Sequence, residues 1–468
     1  MRNVAPVALL LALTLCTLRV NAEDEPQIIT PEGLATSQML PSLDGAVADL
    51  PLSAAAPGSL TLNDAVSRAV SWHPSIRESI GKLLSQNEQI DVAKSKYYQV
   101  SAGMNNGYSN TYTDHGFSPA LVISVSQMLY DFGKVASQVR AETAGSAQQQ
   151  ANVLLSIDTI AHATANAIVQ VQTWQQMVDA AEEQLSALNG IGRLTRQRND
   201  EGATSLSDVV QTDARIESAR SQLAQYQANL DSSKATLMSF LGWNSLNGIS
   251  NEFPVKLDSS CDVVKPDDKL VPAVLAAWAQ ANVAQANLDY ANAQMTPTIS
   301  LEPSVQHYLN DKYPSHEVLD KTQYSTWVKV EMPLYQGGGL TARRNAASHA
   351  VESAQYSIQR TRLEVRQKLL ESRSQAMSLA TALQILRRQQ RLSEQTRELY
   401  QQQYLDLGSR PLLDVLNAEQ EVYQARFAEL QTQNQLRQLQ LNCLYNTGSL
   451  RQAFALNNRS IQSVEIKL

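Results

Sequence analysis

The sequence predicts a mostly α-helical protein, built as a tandem duplication and carrying a few alternating strands of membrane β-barrel type. Three observations predict it. Long Gln- and Ala-rich stretches run without Gly or Pro, as long helices require. Matched motifs recur about 205 residues apart. After the first residues no apolar run reaches the ~18 residues of a membrane-crossing helix, so a membrane span would have to be a β-barrel. The charge balance, 38 basic against 45 acidic residues for a net of −7, gives a polyanion nothing to bind and argues against nucleic acid. Three widely spaced cysteines argue against a disulfide scaffold or a thiolate metal cluster.

The elements follow in order. Met1-Arg2, the apolar run Val4–Leu15 and the small-residue site Val20-Asn21-Ala22 read as a signal peptide over 1–22, addressed to the general secretory pathway. Cys16 follows Leu15, which is too large for a lipidation site. Removing the signal deletes Arg2 and Arg19 and leaves 36 basic against 45 acidic groups, net −9. Residues 23–58, rich in Pro, Ser, Ala and acids, read as a flexible periplasmic leader. The duplication covers 59–243 and 268–450, with a linker at 244–267 and a tail at 451–468.

Its anchors are Leu129-Tyr130-Asp131-Phe132-Gly133 against Leu334-Tyr335-Gln336-Gly337-Gly338 at offset 205, Gly202–Val209 against Gly408–Val415 at 206, and Leu241-Gly242 against Thr447-Gly448 at 206. Each copy predicts a leading helix (62–97 and 270–294), two strands, a long helix (134–200 and 338–406), a glycine break and a returning helix (205–241 and 411–446). At 1.5 Å per residue each long helix spans ~100 Å. Its returning helix covers little more than half of that, which leaves the remainder to the leading helix. Ile157, Thr164, Val171, Val178 and Leu185, with Ile160, Ala167, Trp174, Ala181 and Leu188, form a period-seven coiled-coil seam. Leu416, Tyr423 and Leu430 repeat it in the returning helix of copy two.

The strands alternate instead. Ile299, Leu301, Val305 and Leu309 alternate with polar residues, as do Val328, Val330, Met332 and Leu334, and in copy one Ile123, Val125 and Leu129. Apolar-out and polar-in over ~10 residues is the transmembrane barrel pattern; a solvent-facing antiparallel sheet is the alternative. Tyr108, Tyr112, Tyr130, Tyr308, Tyr324, Trp327 and Tyr335 sit near strand ends, as interfacial aromatics do. Four strands cannot close a barrel, so several protomers must contribute.

Met332-Pro333-Leu334-Tyr335-Gln336-Gly337-Gly338 and Leu407-Gly408-Ser409-Arg410-Pro411-Leu412-Leu413-Asp414-Val415-Leu416-Asn417-Ala418, in this order of elements, resemble the TolC family of outer-membrane channel proteins over about residues 60–450. The resemblance implies a homotrimer with a twelve-stranded barrel in outer-membrane lipid and a periplasmic α-barrel. It implies docking of a periplasmic adaptor protein and an inner-membrane pump, such as an ABC transporter. It places the tunnel-entrance constriction at Asp414 and Asn417, where the best-known member has two aspartates. A tip latch falls on Arg410 and Asp208, with the family's nearby tyrosine replaced by Leu405. Adaptor docking falls on Gly202, Ala203, Thr204, Gly408 and Ser409. The architecture brings Cys261 and Cys443 to one level, where an oxidising periplasm permits a disulfide. Simpler readings exist: Asp414 offsets a helix dipole, and the glycines need only a left-handed conformation.

Catalysis is not expected. Histidines 73, 115, 162, 307, 316 and 349 show no ligand spacing or nucleophile, and Gly337-Gly338-Gly339 lacks the Lys-Ser/Thr ending of a P-loop. No cofactor or metal is expected. The function expected is an outer-membrane exit duct for type I secretion, passing an exported protein such as a large adhesin. Small-molecule efflux is the alternative, and a periplasmic coiled-coil scaffold without a pore is a second one.

Overall fold

The structure, a computed structural model, describes residues 53, 58–110, 115–117, 119–263, 265–309, 321–406 and 408–466. All of them belong to one compact unit, Ser53–Leu468. The signal peptide, nearly all of the leader, and the expected aromatic Tyr112 lie outside the described residues.

Helix α1 (Leu62–Trp72) starts at Thr61, whose hydroxyl accepts from Asp64 N at 3.2 Å, and buries Leu62, Ala65, Val66, Ala69 and Val70 along one face. The continuous leading helix expected over 62–97 is corrected here. Helix α2 (Pro74–Lys94) begins afresh, and a 3-10 turn covers Ser95–Tyr97. Pro74 has no N–H, and its ring would clash with the carbonyl four residues earlier. His73 therefore turns extended, and its Nδ1 accepts from Ser75 N at 3.3 Å. The Gln462 amide donates to Val70 O and His73 O, both at 3.1 Å, satisfying carbonyls the break leaves open.

Strand β1 (Tyr98–Asn105) supplies the first strand of copy one, for which the sequence pattern names no residues. A short hairpin, β2 (Tyr108–Asn110) with β3 (His115–Phe117), precedes β4 (Ala120–Tyr130). Helix α3 (Lys134–Asp200) and helix α4 (Leu206–Leu241) follow with 67 and 36 residues. Copy two holds α5 (Pro272–Ala293), β5 (Thr298–Tyr308), β6 (Thr322–Glu331), α6 (Gly339–Leu405) and α7 (Leu412–Thr447). Helices α6 and α7 again measure 67 and 36 residues, so the duplication holds at the level of helix length. A short α8 (Leu450–Ala453) and the hairpin β7 (Arg459–Ile461) with β8 (Val464–Ile466) close the described chain.

Helices α2 and α4 both pack along α3, and α5 and α7 both pack along α6. Helix α3 also packs on α5 and α7, which joins the repeats. The seam residues Ile157, Ile160, Thr164, Ala167, Val171, Val178, Ala181 and Leu188 are buried, and Trp174 and Leu185 are half-buried. The largest apolar cluster surrounds the middle of α3 and draws in α1, the 243–257 linker segment and the α8–β7 region.

The sheet order is β1-β4-β5-β6, antiparallel throughout. Facing residues share a side of a sheet, so the register sorts its two faces. Val100 faces Val125, Ile123 faces Val305, and Leu301 faces Val328 on one side. On the other, Ser101, Ser124, Ser304 and Ser325 form a row across all four strands, with hydroxyl contacts of 2.7 Å and 2.8 Å. Two expectations change. Strand β6 stops at Glu331, short of Leu334, because Pro333 cannot donate to the ladder. Tyr130 and Tyr324 lie on the apolar face, but Trp327 and Tyr308 pair with Glu302 and Ala120 on the polar one.

Candidate functional site

The two glycine-marked turns come together. Gly202 (φ 75°) and Gly408 (φ 60°) adopt the left-handed conformation that ends α3 and the α6 segment. Gly202, Ala203, Gly408 and Ser409 are exposed and Thr204 is half-buried. Tyr404, Leu412, Val415 and Leu416 pack with Leu188, Ile216 and Ala219 from the other repeat. The Arg198 guanidinium stacks 4.4 Å over the Tyr404 ring.

The expected latch between Arg410 and Asp208 is not formed in the protomer, and the duplication explains why. At the offset of 206, Asp208 and Asp414 are equivalent, as are Thr204 and Arg410. Each aspartate takes the residue four before it. Thr204 Oγ1 donates to Asp208 Oδ2 at 2.5 Å, and Arg410 Nη1 donates to Asp414 Oδ2 at 3.1 Å. Asp208 also completes a capping box with Ser205 at the start of α4. The Thr204 hydroxyl, followed by Ser205, holds the Asp208 carboxyl below its usual range. Arg410 is further occupied by Gln403 Oε1 at 2.8 Å and by the Tyr400 ring, 4.2 Å from its guanidinium carbon.

Arg215 makes a direct side-chain link between the hairpins. From α4 its Nη2 donates to Asn417 Oδ1 on α7 at 3.3 Å, and its Nη1 donates to Gln420. It makes no ion pair among the described residues. The sequence held one clue that went unused: Arg215 has no acid three or four residues away, so its partner had to lie elsewhere. Glu419, also missed, is buried on α7. It accepts from Gln401 Nε2 at 3.1 Å and faces Arg397 at 3.7 Å. Burial pushes its carboxyl upward, and the Arg397 charge works against that.

Further from the turns, Cys261 and Cys443 are joined, with Cα atoms 5.2 Å apart, and pack against Leu369 and Ala376 of α6. Among the described residues no group of three His, Cys, Asp or Glu side chains is placed to hold a metal, and no helix is long and apolar enough to cross a membrane.

The family model described as "Outer membrane efflux protein" matches residues 65–243 and 270–446, one match per repeat. The chain belongs to that family. Its members are outer-membrane channel proteins with a helical periplasmic part, not enzymes, and the chain is placed in the outer membrane accordingly. The outer membrane efflux protein BepC of Brucella suis is 24% identical over 80% of this chain and 82% of its own. The proteases secretion protein PrtF of Dickeya chrysanthemi is 26% identical over 60% and 63%. The solved outer membrane protein VceC of Vibrio cholerae superposes with a TM-score of 0.72 at 18% identity, covering 83% of this chain and 96% of that one, and so shares the fold.

Proposed function

We propose that this efflux-family chain is one protomer of a homotrimeric exit duct for type I secretion. It receives an exported protein, such as a large adhesin, from an inner-membrane ABC transporter through a periplasmic adaptor. The observation that carries the reading is the sheet: four strands, apolar on one face and polar on the other. Among the described residues β1 and β6 each have one edge without a neighbour. Unpaired edges are not tolerated in lipid, and three such sheets joined edge to edge make a twelve-stranded barrel with a polar lumen.

Helix α6 supports the trimer. Tyr356, Leu363, Leu370 and Met377, then Ile385, Leu392 and Leu399, each more than half exposed, form a seven-residue stripe with one step of eight. A heptad face of that length is built to pack against a helix of a neighbouring copy. Exposed Leu206, Val210, Leu405 and Leu413 flank the paired turns and suit a docking adaptor. PrtF, named for protease secretion, favours protein cargo; BepC, named for efflux, supports the second reading, a small-molecule pump.

Purified protein is expected to run as a heat-modifiable trimer and to conduct in planar bilayers. A non-conducting monomer would instead indicate a periplasmic scaffold. A deletion strain that loses a secreted surface protein but keeps its drug resistance separates the cargo readings.

At the turns, Asp414 is neutralised by Arg410 and Asn417 carries no charge, so cation preference at the entrance is weak. Asn417→Asp is expected to raise cation preference and block by multivalent cations. The rise should be larger in Asn417→Asp/Arg215→Gln, because Arg215 stands ready to neutralise the new carboxylate. Single-channel recordings with neither property changed in the double variant would remove the entrance from these positions.

A further inference from the structure

The polar face of the sheet is uneven along its length. Toward the far end and the middle it presents hydroxyls and amides, as in the Ser101–Ser325 row and in Gln306 facing Gln323. Among the described residues of the strands, charge on this face appears only at the end where strands meet helices. There a cavity of about 340 Å³ is lined by Lys96, Asp131, Lys134, Glu302, Lys329 and Glu331, contributed by the helix-to-strand turn before β1, the start of α3, β5 and β6. Three positive groups stand against three negative ones.

The pairing within this cluster is unequal. Asp131 is buried, and its two carboxylate oxygens accept from Gly133 N at 2.9 Å and Val135 N at 2.6 Å, so it serves as the cap of α3. Lys134 Nζ donates to Thr296 O at 2.8 Å and Thr298 Oγ1 at 2.6 Å, and Lys96 Nζ donates to Gln138 Oε1 at 2.6 Å. These three groups fasten the helix starts to the sheet. Lys329 differs. Its ammonium lies 2.9 Å from Glu331 Oε2 and 3.9 Å from Glu302 Oε1, so one cation stands between two carboxylates on the polar face. Its side chain is half exposed and is free to meet solutes.

We infer that this collar of Lys329, Glu302 and Glu331, where the sheet joins the helices, is a charge-selectivity element for ions and small charged solutes in the lumen, with Lys329 offsetting one of its two carboxylates. The inference rests on the channel reading above. Charges lining a narrow passage with low-dielectric walls act on permeating ions far more strongly than the same charges on an open surface. At the paired turns, by contrast, Arg410 stands against Asp414 one to one. In a trimer, removing Lys329 takes each protomer's collar from one unit negative to two, and removing Glu331 leaves it neutral.

The test is the reversal potential of full-length protein in planar bilayers under a KCl gradient. Lys329→Met is expected to raise the K⁺/Cl⁻ permeability ratio about two-fold or more. Glu331→Gln should lower it, and the double variant should return toward the wild-type ratio. Glu302→Gln supplies an independent shift in the Glu331→Gln direction should either single variant fail to assemble. Conducting variants that all share the wild-type reversal potential would overturn the collar while leaving the channel intact. Wild-type protein that does not conduct would overturn the channel reading, and the collar with it.

Discussion

Replacing Arg451 with Met is expected to destabilise the protein by about 3–5 kcal/mol, the usual cost of leaving a buried charge without its partner. Arg451, on α8, pairs with Asp158 in the middle of α3. The two residues are 6% and 1% exposed. Its Nη2 also donates to Leu270 O at 3.0 Å, so one guanidinium ties the C-terminal segment and the segment entering α5 to the longest helix of copy one. Gly448 permits that closeness: at φ 71°, a Cβ there would stand 2.2 Å from Leu270 O.

The same pair predicts a pH dependence. Burial pushes the Asp158 carboxyl up to about 7 from its ordinary 3.8, with the Arg451 charge and hydrogen bond opposing the rise. A carboxyl raised on folding binds more protons in the native state than in the unfolded one between those two values. Its contribution is therefore most favourable below 3.8 and declines as pH rises toward 7. Without Arg451 nothing opposes the burial, so the carboxyl rises further and the deficit of Arg451→Met should grow as pH rises through about 7 and beyond. Thermal melts followed by circular dichroism would read it. Asp158→Asn/Arg451→Met is expected to recover part of the loss, and a double variant as unstable as the single would show that the carboxylate was not the cause.

The second large effect concerns the disulfide. Cys261 and Cys443 stand 182 residues apart, and linking them restricts the unfolded chain while fixing the inter-repeat linker against α7 and α6. Cys443→Ala is expected to cost about 2–4 kcal/mol. Cys261→Ala/Cys443→Ala should cost little more than either single change, since both remove the same bond. Reductant should lower the melting point of the wild type and leave the double variant unmoved. Intact mass with alkylation gives the decisive check: two alkylated thiols without prior reduction would rule the bond out.

Much of the helical framework was legible in the sequence because long helices and half-buried strands advertise themselves by period. The seam from Ile157 to Leu188 repeats every seven residues, and Ile299-Ser300-Leu301-Glu302 alternates. The misplaced boundaries fall at prolines. Pro74 divides the leading helix and Pro333 stops β6, each by removing a donor, and each was visible but outweighed by the apolar pattern around it. Trp327 carried two signals, an aromatic near a strand end and a place in the alternating row of Lys329 and Glu331; register with Glu302 puts it on the polar face, as the alternation requires.

By itself, then, the sequence determined what recurs along the chain: the duplication, the helix lengths, the two-faced strands and the left-handed glycines at the turns. These are local, since each depends on residues within a few turns of one another. Tertiary structure alone decided which charged group takes which partner. Arg410, in the turn just before α7, takes Asp414 four residues on, where the backbone already holds the two close, and an exposed pair reaching across to Asp208 would have to order two side chains for ~0–1 kcal/mol. Arg215 reaches Asn417 and Gln420 across 202 and 205 residues only because the two hairpins lie side by side. Lys329 meets Glu302 because β5 and β6 pair in that register. No periodicity encodes the last two meetings; they exist only once the hairpins and the strands have packed.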